Sequence, residues 1–131
     1  MTIAVVCVAV LGLLLFGLGL NVSLTRRKTQ TGIGFNANDG ADPLTKAVRA
    51  HGNTAEFAAL LAVLMLYLGS TEPAAWVVWT MIITTACRVL IVVGIFASPT
   101  LDKAHPLRFA GAAGTYFGGL LLSIAALLTV L

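Results

Sequence analysis

Four long apolar stretches divide the chain, and short polar segments rich in Gly, Asn, Asp, Ser or Pro separate them. The stretches cover about 3–24, 44–68, 73–97 and 107–131, and each is close to the roughly 20 residues that a helix needs to cross a bilayer. Apolar runs of this length are typical of membrane helices. The pattern predicts an all-α fold, an integral membrane four-helix bundle, with a single domain over residues 1–131.

Polar residues mark several helix ends. The basic run 26–28 is predicted to end the first helix, and Asp42 is a predicted N-cap with Pro43 at the first position of the second helix. In the fourth helix Gly114 and Gly118 form a GxxxG pair, which favours close packing against another helix.

Composition indicates a membrane protein, and the sequence argues against a soluble domain, a nucleic-acid partner and a metal site. Hydrophobic residues make up 59% of the chain and charged residues 10%, and the mean hydropathy is +0.99, which is far from a soluble domain. The eight Lys and Arg residues are dispersed over loops and helix ends, so we expect no nucleic-acid partner. His51 and His105 are distant in sequence and predict no metal site.

The cations also predict the topology. The first and third connections carry Lys and Arg, whereas the second carries only Glu72. Cytoplasmic loops are enriched in Lys and Arg, so we expect these two connections in the cytoplasm and both termini on the opposite side. Lys46 and Lys103 are interpreted as contacts to lipid headgroups.

An unusual set of polar residues opens the second predicted helix. At about 100° per residue, Arg49, Asn53 and Glu56 fall on one face, and His51 points to roughly the opposite side. Glu56 lies about three turns into the helix, where an unpaired carboxylate is costly. It therefore needs a partner such as Arg88, Arg49 or a bound cation.

Several arginines are expected to converge on this face. Arg26, Arg49, Arg88 and Arg108 lie at or inside helix ends. With an Asn and Glu56, they would suit a small polyanion that carries an amino group, because guanidinium groups bind carboxylates and a carboxylate binds an ammonium. A nearby guanidinium also favours the thiolate form of a thiol. Two simpler interpretations stay open: Arg49 snorkels to the headgroups, and Glu56 forms a structural ion pair.

The stretch 49–57, Arg-Ala-His-Gly-Asn-Thr-Ala-Glu-Phe, resembles the signature of the MAPEG family, the membrane-associated proteins in eicosanoid and glutathione metabolism. Further similar features are the basic end of the first helix at Arg26, an arginine in the third helix at Arg88 followed by Gly94, and Arg108 at the start of the fourth. This variant of the signature is similar to that of bacterial members, which implies a bacterial inner membrane.

The resemblance implies a homotrimer that binds glutathione between neighbouring subunits near the cytoplasmic face. The residues implied to hold glutathione are Arg26, Arg49, Asn53 and Glu56. Arg108 is implied to stabilise its thiolate, with His51 and Arg88 in supporting positions. The chain departs from the eukaryotic members at Phe57, Ile91 and Ile95, where tyrosines are expected.

The function that the sequence predicts is transfer of glutathione, or a related thiol, to lipophilic electrophiles, or reduction of lipid hydroperoxides. The lipophilic molecule would enter from the lipid membrane and the thiol from the cytoplasm. One alternative is a small proton-coupled multidrug exporter that uses Glu56, although a set of arginines repels cations. Another is a non-catalytic membrane protein that keeps the family fold.

Overall fold

Four α-helices and no strand make up the fold, in a computed structural model that describes residues 1–131. The helices are α1 (Thr2–Thr29), α2 (Pro43–Ser70), α3 (Ala75–Ala97) and α4 (Pro106–Leu128). All four are long and apolar enough to cross a membrane. The predicted all-α, membrane-spanning fold is therefore confirmed.

The first helix continues beyond its expected end. It extends through the basic run 26–28 to Thr29, and Gln30 closes it in the left-handed conformation, with φ 53° and its N–H donating to the carbonyl of Arg26. Cations are favourable in the last turn of a helix, where the unpaired carbonyls carry partial negative charge. The basic run therefore lies in the final turns of α1 instead of ending it earlier.

The start of α2 agrees with its predicted cap. The Asp42 carboxylate accepts hydrogen bonds from the backbone N–H of Thr45 at 2.7 Å and from its hydroxyl at 2.9 Å, and Pro43 occupies the first turn. The same hydroxyl lies 2.8 Å from the carbonyl oxygen of Asn36, so its single proton is shared between these two acceptors. This cap holds the first connection against the start of α2.

Helices α2 and α3 form the middle of the bundle. Each packs against α1 and against α4, whereas α1 and α4 do not pack against each other. A buried cluster near the termini draws on all four helices, and a smaller one near the first and third connections surrounds Leu18, Ala50 and Ile91. Helix α2 contributes Ala50 to the second cluster, directly after Arg49 in the chain.

The first and third connections lie together at one end of the bundle. The N–H of Leu101 donates to the carbonyl of Gly40 at 2.9 Å. The Nζ of Lys46 donates to the carbonyls of Ser98 at 2.8 Å and Pro99 at 3.0 Å. Lys46 thus stabilises the carbonyl end of α3, which differs from its interpretation as a headgroup contact. The shared end agrees with the predicted grouping of these two connections.

Small residues bring α4 very close to α3. A Cβ placed on Gly111 would lie 2.8 Å from the carbonyl oxygen of Cys87 and 2.8 Å from the backbone nitrogen of Ile91. Gly114 and Gly118 approach the side chains of Cys87 and Thr84 in the same way. The GxxxG pair therefore packs inside the chain, between α3 and α4.

Replacing Gly111 with alanine should destabilise the bundle, because the added methyl group meets backbone atoms that cannot rotate away. Overpacking of this kind costs about 1–3 kcal/mol, and we expect a clearly lower unfolding temperature in detergent. Gly119→Ala is the matched control on the same helix, since nothing lies within 4 Å of its added Cβ. Equal unfolding temperatures for the two variants would contradict the close α3–α4 contact.

Candidate functional site

A cavity of about 470 Å³ lies at the end of the bundle where the first and third connections meet. It is bounded by α2, α3, α4 and the third connection. Its lining residues are Arg49, Asn53, Ile91, Ile95, Leu101, Ala104, His105, Arg108, Phe109 and Ala112. Among the residues predicted to bind glutathione or its thiolate, Arg49, Asn53 and Arg108 line this cavity together.

Arg108 is held in place by the third connection and by α3. Its Nη1 donates to the carbonyls of Leu101 at 3.2 Å and Lys103 at 3.1 Å. A Cβ on Gly94 would lie 2.8 Å from the backbone nitrogen of Arg108, so the glycine permits the first turn of α4 to approach α3. These contacts use only one guanidinium nitrogen and leave a positive charge at the cavity wall.

Arg88 lies beneath the cavity and is fully buried, with 0% of its surface exposed. Its Nη2 donates to both the carbonyl and the side-chain oxygen of Asn53, each at 2.8 Å. Its Cζ lies 5.0 Å from the centre of the Phe57 ring, within the range of a cation–π contact. Nε and Nη1 have no hydrogen-bond partner. Arg88 therefore positions Asn53 at the cavity and keeps unused hydrogen-bonding capacity.

A second cavity, of about 410 Å³, follows the first along the same two helices, α2 and α4. Its lining residues are Glu56, Phe57, Leu60, Leu61, Leu64, Thr115, Tyr116, Gly119, Leu120 and Ser123. Phe57 lies one turn after Asn53, and Tyr116 one turn after Ala112, so the second cavity begins where the first ends. We call this second cavity the apolar groove, because its walls are mostly leucine and aromatic side chains.

Glu56 lies in the apolar groove, apart from the arginine-lined cavity. It is exposed on the outer face of α2 and acts on Arg88 electrostatically, but the two make no hydrogen bond. The expected charge partner is thus close without forming a direct contact in the single chain.

Two other predicted residues lie away from the cavity. Arg26 donates from Nη1 to the carbonyl of Gly34 at 2.7 Å and more weakly to that of Thr31 at 3.5 Å, so it braces the first connection. His51 faces α1, since a Cβ on Gly19 would lie 3.3 Å from its Nε2. The opposite orientation of His51 on α2 agrees with the helical geometry expected from its sequence position.

The three positions at which the family resemblance leads us to expect tyrosines all lie around the cavities. Ile91 and Ile95 form an apolar wall of the first cavity. Phe57 provides the ring beneath Arg88 and lies with its centre 5.8 Å from that of Tyr116. These positions supply apolar contacts, and Arg49 and Arg108 supply the guanidinium groups of the cavity.

Sequence reasoning assigned no role at this site to two residues that line the cavities. His105 lines the first cavity, and Tyr116 lines the apolar groove with 56% of its surface exposed. The available signal for His105 was its place next to Pro106 and three residues before Arg108, at the N-terminal end of α4. Tyr116 has no comparable feature in the sequence around it.

The two cavities together suit a molecule of mixed character. Two guanidinium groups, an amide and an imidazole surround one end, and guanidinium groups form strong, directional hydrogen bonds to anionic oxygens. The adjoining groove offers apolar side chains that favour burial of an apolar group. The arrangement can hold an anionic group directly beside a lipophilic one.

These features define an integral membrane four-helix protein with an arginine-lined cavity beside an apolar groove. A comparison with protein-family models matches residues 4–128 to the MAPEG family, and the chain belongs to that family. Comparisons with curated proteins and with solved structures gave no match.

Removing the amide of Asn53 should destabilise the protein without any ligand present, because Arg88 would lose a buried hydrogen bond. Hydrogen bonds to charged groups contribute about 1.5–3 kcal/mol, so Asn53→Ala should unfold at a clearly lower temperature in detergent. Ser123→Ala is the control, since that hydroxyl bonds only to its own helix at the carbonyl of Gly119. An unchanged unfolding temperature in Asn53→Ala would show that the backbone carbonyl alone holds Arg88.

Proposed function

We propose that this protein is a membrane-embedded transferase that joins glutathione, or a related small thiol, to lipophilic electrophiles or uses it to reduce lipid hydroperoxides. The observation that carries the proposal is the meeting of Arg49, Asn53 and Arg108 in one cavity that opens onto an apolar groove. Membership of the MAPEG family fits such a role.

The charges of the site fit the charges of glutathione, which has two carboxylates and one ammonium group. Arg49 and Arg108 supply cations for anionic groups, and Asn53 supplies an amide at the same wall. Glu56 lies beyond Asn53 on α2, where it offers a carboxylate to the ammonium. The ligand would thus lie along α2, with its charged groups matched to successive turns of the helix.

Arg26 fits this proposal as a residue that a neighbouring subunit supplies. Within one chain it lies away from the arginine-lined cavity, so any contact that it makes with glutathione would come from a neighbouring subunit. The proposed assembly is a homotrimer with the ligand between subunits.

The proposed chemistry needs a thiolate next to a lipophilic carbon or peroxide oxygen. The positive charge of Arg108 stabilises the thiolate, and the apolar groove delivers the lipophilic molecule from the bilayer. Holding both reactants side by side converts a bimolecular step into an effectively unimolecular one. In a conjugation the sulfur–carbon bond forms as the leaving group departs with its electron pair.

The exporter alternative fits the arginine-lined cavity less well. Arg49 and Arg108 repel a cationic drug from it, and Glu56 lies in the neighbouring groove.

We place the polar cavity on the cytoplasmic side of a bacterial inner membrane, because most of the cations lie in the helix ends and the connection at that end of the bundle.

Arg49→Ala should weaken glutathione binding at least about tenfold, since a hydrogen bond to a charged group contributes about 1.5–3 kcal/mol. Calorimetry of the purified protein in detergent measures the binding. Arg27→Ala removes the same charge from an exposed position that lines neither cavity, and its affinity should equal that of wild type. Absence of heat from wild type with any cellular thiol would refute the proposed function.

Arg108→Ala should remove the absorbance of a bound thiolate, which appears at about 240 nm when a cation lowers the thiol pKa. Stopped-flow mixing of the protein with glutathione would follow this signal. Arg108→Lys keeps a positive charge and should retain part of the signal, although a point charge is a poorer match than a guanidinium. If Arg108→Ala keeps the full signal, another group stabilises the thiolate.

A further inference from the structure

His105 has no hydrogen-bond partner for its side chain within the chain. It is half-buried, its Nδ1 is shut away from solvent without a partner, and Nε2 is not enclosed in this way. The same side chain lines the arginine-lined cavity. Buried polar atoms normally find a partner. Because Nδ1 is shut away from solvent, Nε2 is the nitrogen through which this imidazole can meet a ligand in the cavity.

Of the 10 residues that line this cavity, His105 alone has a side chain of the type that most often acts as a general base in proteins. The guanidinium groups of Arg49 and Arg108 are hydrogen-bond donors only, Asn53 has no basic group, and the other side chains are apolar.

The other titratable groups near His105 either bond to another residue or lie outside the arginine-lined cavity. The Asp102 carboxylate accepts a hydrogen bond from the Thr100 hydroxyl at 2.6 Å and lies beside Gly40. Glu56 lies in the apolar groove. Lys103 is exposed on the third connection and lines neither cavity. The charged groups that share the cavity with His105 are therefore Arg49 from α2 and Arg108 from α4.

We propose that His105 is the catalytic base of this cavity, taking the proton of the bound thiol while Arg108 stabilises the resulting thiolate. This inference rests on the proposed function. In the reaction with an aryl chloride, Nε2 takes the proton from sulfur, the sulfur–carbon bond forms, and chloride leaves with the electrons of its bond to carbon. The imidazolium then releases the proton to water.

The test compares wild type with His105→Gln, with glutathione and chlorodinitrobenzene as substrates. General base catalysis contributes about a hundredfold or more, so kcat/KM at neutral pH should fall by that order. Below the ordinary thiol pKa of about 8.5, the variant's kcat/KM should rise about tenfold per pH unit, because the thiol proton must then be lost to water and not to His105. Wild type should depend on pH less steeply.

Two measurements separate proton transfer from a structural role. S-methylglutathione has no thiol proton, so His105→Gln should bind it as tightly as wild type does. Added imidazole should restore activity to His105→Ala by entering the space left by the side chain. The control Lys103→Gln, on the same connection, should keep the pH dependence of wild type.

The outcomes distinguish the two proposals. An active wild type whose His105→Gln variant has the same pH profile, or a His105→Ala variant that imidazole does not rescue, would overturn the role of His105 and leave the transferase function standing. A wild type that binds neither glutathione nor S-methylglutathione would overturn the proposed function, and the role of His105 with it.

Discussion

The fully buried guanidinium of Arg88 is the constraint around which the centre of the bundle is organised. A charge in apolar surroundings is tolerated only where neighbouring groups compensate it. Asn53 supplies two oxygens to one nitrogen, and the ring of Phe57 covers the guanidinium. Because the same Asn53 lines the cavity, the group that stabilises the buried charge also fixes one wall of the candidate site. The stability of the bundle and the shape of the cavity are therefore coupled at one residue of α2.

The unequal packing of α4 explains why the cavities lie where they do. Gly111, Gly114 and Gly118 draw α4 against α3 until further side-chain volume cannot fit between them. Toward α2, the large side chains of Phe57 and Tyr116 stand between the helices, and the apolar groove opens along this side. Close contact on one face of a helix and separation on another thus produce an elongated space, polar at one end and apolar along its length.

Much of this arrangement follows from the sequence, because it depends on local rules. Hydrophobic length predicts four membrane helices, and the helical repeat places Arg49 and Asn53 on one face. The sequence does not indicate the contacts that depend on how the connections fold back against the helices. Lys46 is used by the carbonyl end of α3, and Arg26 by its own connection. His105 lines the cavity from the third connection, which is bonded to the first through Leu101 and Gly40, and no periodic pattern encodes that arrangement.

The apolar wall at Ile91 and Ile95 bears on how the proposed site would select its ligand. Hydroxyl groups there would add hydrogen bonds that depend on distance and angle, and a buried hydroxyl left without a partner would penalise a poorly fitting ligand. Ile91 and Ile95 have no hydroxyl group and cannot impose this penalty. Under the proposed function, recognition would rest on the charges of Arg49 and Arg108 and on the shape of the apolar wall. Charge attraction is less directional than hydrogen bonding to fixed hydroxyls, so such a site would distinguish anionic ligands by the spacing of their charges more than by their detailed structure.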